Sequence, residues 1–363
     1  MNFLLITLEF FPFKGGVANY YTNLVYYWPK DKKLFILNNN SNELLSQRGI
    51  FKWRKTIFKL YHYIKKNRIN HIIVGHILPL GIAVYLLSRI LPFKYSIVLH
   101  GMDFAYAIKR PWKRFISRII FNKADKIISA NSYVAILCAN FLKSGQKIKV
   151  VNPGVKDFSA LERVDIDKVR EKNNLNNHKI LFSLGRLVKR KGFDNTIKSL
   201  RRVLDEFGDN FIYLIAGKGP DEKYLKDLAL LELGEKWDDQ VKFIGEISEQ
   251  EKWVLLSLCD IFIMPARDID GDFEGFGIVY LEASLSKKPI IAGNSGGVAD
   301  AVKNGVTGLL VNSNDIAEIS EAILKLLGDA GLRDKLGERG RLRALSEFSW
   351  KDKVADIYNF LSN

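Results

Sequence analysis

Twelve short apolar runs, each followed by a stretch of helical periodicity, punctuate this chain of 363 residues almost from end to end. Runs of four to seven apolar residues without polar alternation read as strands buried on both faces, and strands that alternate with helices build parallel sheets. The runs fall at 3–8, 33–38, 71–75, 95–100, 126–130 and 148–152, then at 179–185, 211–217, 241–245, 261–266, 289–293 and 308–312. One sheet of twelve strands would strain a single core, since cores stop growing near roughly 250–300 residues. The pattern therefore predicts an α/β protein of two doubly wound, Rossmann-like parallel sheets, with a cleft between them as the ligand site. Pro153 and Gly154, in VNPGVKDFSALERVD at 151–165, mark the joint.

Charge divides at the same place. Residues 1–155 hold 24 Lys and Arg against 5 Asp and Glu, a net of +19, whereas residues 156–363 hold 31 against 35, a net of −4. A basic first domain implies an anionic partner. With 47% hydrophobic and 26% charged residues the chain is neither disordered nor fibrous. Cys138 and Cys259 stand in apolar surroundings with no metal-ligand spacing, which points to a reduced, cytoplasmic protein. MNFLLITLEFF lacks a basic start and a cleavage site and is expected to be the first strand. The longest apolar stretch, 72–87, carries His76 and Pro79 and is shorter than the roughly 20 residues of a membrane span.

The residues that could carry chemistry follow strands. Gly15 and Gly16 in FKGGVANYYTNL open a helix after the first run, where backbone N–H groups can meet a phosphate; a ligand-free tight turn reads equally well. Neither a nicotinamide fingerprint nor a Walker A pattern is present. In SLGRLVKRKGFD, at 183–194, Arg186 and Lys191 flank a strand-to-helix loop and suit a diphosphate. In EGFGIVYLEA, Glu274 precedes a helix and Glu282 lies within it, so the two carboxylates can accept hydroxyls from two rings of one ligand. Charge-assisted bonds of this kind contribute about 1.5–3 kcal/mol each. Between them Phe276, Gly277, Ile278 and Val279 offer backbone N–H groups. The acidic run Asp268, Asp270, Asp272 has Phe273 and Val279 where a calcium loop needs Gly and Glu, so no metal site is expected and the aspartates read as a solvated, mobile loop. His100 ends a strand in VLHGMD, where structural and catalytic roles are both open.

Taken in order, the paired glycines, HGMD, NPGV, GRLVKRKG, GKGP, EGFGIVYLEAS and NSGGV resemble the retaining, nucleotide-sugar-dependent glycosyltransferases of family 4, with the GT-B fold. MPAR followed by EGFGIVYLEAS looks especially like the phosphatidylinositol mannosyltransferase branch. The resemblance implies domains at 1–155, basic and acceptor-binding, and 156–345, donor-binding, with a helix at 346–363 crossing back to the first. It implies that Arg186 and Lys191 neutralise the leaving diphosphate, that Glu274 binds the donor sugar and Glu282 the ribose, and that His100 contacts the sugar. Gly15, Gly16 and residues 276–279 would hold sugar and phosphate, with no metal and no other cofactor.

The implied reaction moves a hexose, with GDP-mannose the first choice of donor, onto a lipid-linked or cell-envelope glycan. In 51–66, FKWRKTIFKLYHYIKK, helical spacing puts Trp53, Ile57, Leu60, Tyr61 and Ile64 on one face among lysines, and KRPWKRFISR at 109–118 is a second basic run. Such faces suit an anionic membrane, giving an enzyme peripheral to the inner face of the cytoplasmic membrane; an ordinary domain helix has the same spacing. Three alternatives explain less. A nucleic-acid-binding protein leaves both glutamates idle, so no nucleic-acid partner is expected. Epimerases and phosphorylases of the same fold bring signatures not found in this sequence.

Overall fold

The computed structural model describes residues 1–13, 15–42, 44–45, 53–145, 147–156, 166–175, 178–235 and 237–363. Lys14 of the glycine motif, Phe51 and Lys52 of the basic helix, and 157–165 of the expected joint lie outside the described residues. The chain forms two compact units, Met1–Gly154 together with Ser349–Asn363, and Val155–Phe348.

The first unit holds β1 (Asn2–Thr7), β2 (Lys33–Asn38), β3 (His71–Val74), β4 (Lys94–Leu99), β5 (Lys126–Ser129) and β6 (Ile148–Val150). All pair in parallel in the order β2-β1-β3-β4-β5-β6, so the chain leaves β1 toward one edge and returns to its other side at β3. Several strands stop before their apolar run does, and β4 shows why. The N–H groups of His100 and Gly101 donate to Asp103 Oδ1 at 3.0 and 2.8 Å instead of continuing a ladder. Phe3, Leu5, Ile73, Val98 and Ile128 of the sheet meet Tyr20, Tyr21 and Leu24 in one core. Trp350, Val354, Ile357 and Leu361 line one face of the helix Trp350–Ser362 and complete that core.

The helix Arg54–Asn67 corrects the expected apolar face. Leu60 and Ile64 are buried, as is Thr56, while Phe58 and Tyr61 are 73% and 44% exposed. The helix thus spends much of its stripe on its own domain, and the aromatic surface it offers to solvent is Phe58 with Tyr61.

His71 is fully buried in β3, with Nε2 2.8 Å from Ser96 Oγ and Nδ1 unpartnered among the described residues. Burial pushes its pKa down to about 4, against the opposing pull of Asp125. An unfolded chain, with an ordinary histidine near 6.5, takes up the proton first. Stability is therefore full above about pH 6.5 and falls as the pH drops toward about 4, by roughly 3 kcal/mol from this residue. Urea unfolding across that range, with amide exchange resolving the first unit, should show a shallower acid slope in His71→Gln. An unchanged slope would assign the acid sensitivity elsewhere.

The second unit holds β7 (Lys179–Leu184), β8 (Phe211–Ala216), β9 (Val241–Gly245), β10 (Ile261–Met264), β11 (Ile290–Gly293) and β12 (Gly308–Val311), again parallel, in the order β12-β11-β10-β7-β8-β9. From β7 the chain runs outward through β8 and β9, then returns to build β10, β11 and β12 on the other side. The strand order reverses between β7 and β10, and ligands of open α/β sheets sit at the carboxyl ends of strands at such a reversal.

Candidate active site

The loops that leave β7 and β10 meet at that reversal. After β7 the chain makes a 3₁₀ turn, Lys189–Lys191, and enters the helix Phe193–Phe207 through Gly192. Gly192 has φ +79°, and a Cβ there would lie 2.1 Å from the carbonyl oxygen of Pro265, so only glycine lets the two loops close on each other. After β10, Arg267 donates to both carboxylate oxygens of Asp194 at 2.9 and 2.7 Å, and its N–H donates to the Arg190 carbonyl at 2.8 Å. Two loops from distant parts of the sequence are thereby locked in register.

The lock brings Lys191 and Glu274 together. Lys191 Nζ stands 2.6 Å from Glu274 Oε2, and Arg190 Nη1 donates to the same oxygen at 2.7 Å. Arg190 Nε reaches Asp272 at 3.1 Å. Lys191 and Glu274 are each only 9% exposed. Burial opposes ionisation of Glu274, but Lys191 and Arg190 outweigh it and hold the carboxyl below its ordinary pKa. The result is an ionised carboxylate beside a lysine that has a second cation to replace it.

Beyond Glu274 the backbone turns through Gly277, at φ +79°, into the helix Ile278–Leu285. The first N–H groups of a helix have no intrahelical acceptor, and Ile278 and Val279 are the first two residues of this one. The side chain of Phe276 is buried against Phe348, ring centroids 5.8 Å apart. Glu282 accepts from Lys252 Nζ at 2.7 Å, and Lys252 also pairs with Glu249 at 2.6 Å. Burial pushes the Glu282 carboxyl up, with Lys252 pulling the other way. Arg186 is exposed and makes no ion pair among the described residues.

In the first unit, Gly15 and Gly16 stand where β1 gives way to the helix Gly16–Tyr26, and His100 follows β4. The His100 ring is edge-on to Tyr20 and Tyr21 at 4.8 and 5.2 Å, with Nε2 2.9 Å from the Tyr21 hydroxyl, which in turn donates to Gly75 O. Enclosure, with His76 nearby, lowers the His100 pKa and keeps the ring neutral. Three residues of the second unit's charged network escaped the sequence reading: Arg190, Lys252 and Arg267. Arg190 lies inside GRLVKRKG and could have been flagged there. Asp268 and Asp270 are exposed as expected, but Asp272 belongs to the charged network and not to a free loop. Among the described residues no cluster of three or more His, Cys, Asp or Glu could hold a metal ion.

Comparison with known proteins gives these contacts a family. Residues 165–343 match the model of the glycosyl transferases group 1. Over 99% of this chain and 97% of the relative, the sequence is 27% identical to a GDP-mannose-dependent monoacylated alpha-(1-6)-phosphatidylinositol monomannoside mannosyltransferase of Corynebacterium glutamicum. It is 30% identical over 265 residues, 72% of this chain and 68% of the relative, to a GDP-mannose-dependent alpha-(1-6)-phosphatidylinositol monomannoside mannosyltransferase of Mycobacterium tuberculosis. In fold the chain is similar to Anabaena HepE solved with UDP, at TM-score 0.81 and 17% identity with both chains fully covered. It is also similar to a glycosyltransferase of Rickettsia africae, at TM-score 0.82 and 19% identity over 100% of this chain and 99% of that one. Shared sequence over most of the length makes the chain a member of the group 1 glycosyltransferases, of GT-B fold.

Proposed function

We propose that this enzyme transfers mannose from GDP-mannose, with retention and without a metal ion, to a glycolipid or envelope glycan at an anionic membrane surface. The buried pair of Lys191 and Glu274 carries the reading. The carboxylate binds hydroxyls of the donor sugar near the reacting carbon, while Lys191 turns to the diphosphate as it leaves, joined by the exposed Arg186. Fixed cations and the N–H groups at residues 277–279 then stabilise the developing charge, the dominant catalytic effect in such sites. Glu282, released from Lys252, accepts the ribose hydroxyls. His100, kept neutral, contacts the sugar. The relatives' use of GDP-mannose and of phosphatidylinositol monomannosides supports the choice of donor and of a glycolipid acceptor.

The membrane part rests on the first unit, whose net charge is +19 over residues 1–155. Phe58 and Tyr61, and on the helix Pro111–Lys123 Trp112 and Phe115, are exposed among Lys55, Lys65, Lys66, Arg110 and Arg114. Basic residues near an anionic surface contribute about 1 kcal/mol each, and interfacial aromatics add apolar burial. Among the described residues no helix is long and apolar enough to cross a membrane.

Nucleotide release from GDP-mannose, UDP-glucose, UDP-galactose and UDP-N-acetylhexosamines, with and without phosphatidylglycerol vesicles, tests the whole reading. Turnover of GDP-mannose is expected, with vesicle binding lost in Phe58→Ser/Trp112→Ser. Turnover of a uridine donor alone would replace the sugar, and vesicle binding that survives the double substitution would remove the membrane surface.

A further inference from the structure

The Tyr21 hydroxyl lies between two partners and has one proton to give. It stands 2.9 Å from the Gly75 carbonyl oxygen, which can only accept, and 2.9 Å from His100 Nε2, which can accept or donate. Were the proton given to His100, the carbonyl of the buried Gly75, which has no other donor among the described residues, would be left orphaned. Given to Gly75, it frees the Tyr21 oxygen to accept from His100 Nε2–H, and two bonds form where the other arrangement makes one. The proton of His100 therefore sits on Nε2. Burial holds the Tyr21 hydroxyl far above its ordinary pKa, so its own proton stays in place.

Both ends of this relay are anchored. Tyr21 is fully buried on the helix Gly16–Tyr26, and a Cβ on Gly75 would stand 2.9 Å from its Cζ and 3.0 Å from Ile6 O, so any larger residue would push the hydroxyl away. The Gly75 N–H donates to Ile6 O at 2.8 Å, and the His100 N–H to Asp103 Oδ1 at 3.0 Å. What remains for a ligand is His100 Nδ1. It has no partner among the described residues, and it is not one of the polar atoms sealed from solvent. Burial lowers the pKa of the ring to about 3, so Nδ1 carries no proton at neutral pH. A ring in this state accepts a hydrogen bond there and cannot give one. We propose that Tyr21, by holding the His100 proton on Nε2, makes Nδ1 a reader of hydroxyl groups, so that the enzyme selects a sugar whose hydroxyl donates at that point and rejects one that carries fluorine there. That Nδ1 meets the donor sugar rests on the reading above, whereas the place of the proton is a property of the free protein.

Long-range proton–nitrogen correlation NMR of the full-length protein reads the tautomer directly, with His100→Gln assigning its signal among the five histidines. The wild type at neutral pH should show His100 protonated at Nε2 alone. Tyr21→Phe, which keeps the shape of the buried ring, should show the averaged shifts of an imidazole that exchanges between tautomers. Calorimetry then compares GDP-mannose with analogues in which fluorine replaces one hydroxyl at a time. At one position fluorine should weaken binding to the wild type by about tenfold or more, and in Tyr21→Phe that penalty should shrink to about threefold or less, because the freed imidazole can turn an N–H toward the fluorine. Penalties at hydroxyls read by carboxylates should not change. A wild-type His100 protonated at Nδ1 overturns the proposal before any variant is made, and so does a set of fluorine penalties that Tyr21→Phe leaves unaltered. No binding of GDP-mannose, with the Nε2 tautomer present in the wild type and exchange in the variant, would keep Tyr21 as the residue that sets the ring and sink the proposed donor instead.

Discussion

Lys191→Met should lower kcat for nucleotide-sugar turnover by about 10²–10³-fold, the loss found when one fixed donor is taken from a developing negative charge. The fold should survive, because Arg190 Nη1 still holds Glu274 Oε2 at 2.7 Å and no carboxylate is left buried alone. That redundancy separates two roles. Arg190, tied also to Asp272, helps keep Glu274 ionised, whereas Lys191 pairs with Glu274 alone among the described residues and in the proposed mechanism follows the leaving diphosphate. Removing one of two cations also raises the Glu274 pKa, so the acid limb of the pH profile should move upward in Lys191→Met. Glu282→Ala, in contrast, should weaken donor binding about tenfold and leave kcat nearly unchanged. Steady-state and single-turnover nucleotide release distinguish these outcomes. A kcat for Lys191→Met within threefold of wild type would mean that the diphosphate is neutralised elsewhere, with the exposed Arg186 the next residue to examine.

Much of this was readable in the sequence, and what was not shares a cause. Strands buried on both faces need apolar side chains at every position, so β7, β8 and β10 stand out as continuous runs whatever packs on them. Their ends are less legible because they depend on where a backbone N–H finds another acceptor, as His100 does at Asp103. Lys191, Glu274 and Glu282 were legible because strand-to-helix loops fix them at short spacing from glycines. Their partners were not. Arg190 meets Glu274 across 84 residues and Lys252 meets Glu282 across 30, and no local pattern encodes such an encounter. The helix Arg54–Asn67 shows the same limit for apolar faces. Leu60 and Tyr61 share the helical stripe, yet the fold buries one and leaves the other 44% exposed.

Asp194→Ala should destabilise the second unit by about 3–5 kcal/mol, the range for breaking a buried ion pair and leaving one charge behind. Asp194 is 6% exposed, and both of its oxygens accept from Arg267, whose side chain is 12% exposed. The loss comes mostly from the stranded guanidinium and not from the absent contact, so Asp194→Leu/Arg267→Met should recover most of the stability. Urea unfolding of the two variants checks this, and a loss below about 1 kcal/mol in Asp194→Ala would mean that water reaches Arg267 and the pair is not buried in solution. Activity should not recover with stability. Arg267 joins the loop after β10 to the loop after β7 in two ways, through Asp194 and through its own N–H to Arg190 O. The double variant keeps only the backbone bond, so Lys191 and Glu274 lose one of the two restraints that set their separation. A displacement of about 1 Å at such a site can cost up to 10²-fold in rate. A double variant as stable as the wild type but slower by a factor of about ten or more would identify the Asp194–Arg267 pair as a device for alignment, tolerated at a stability cost that an apolar pair would not carry.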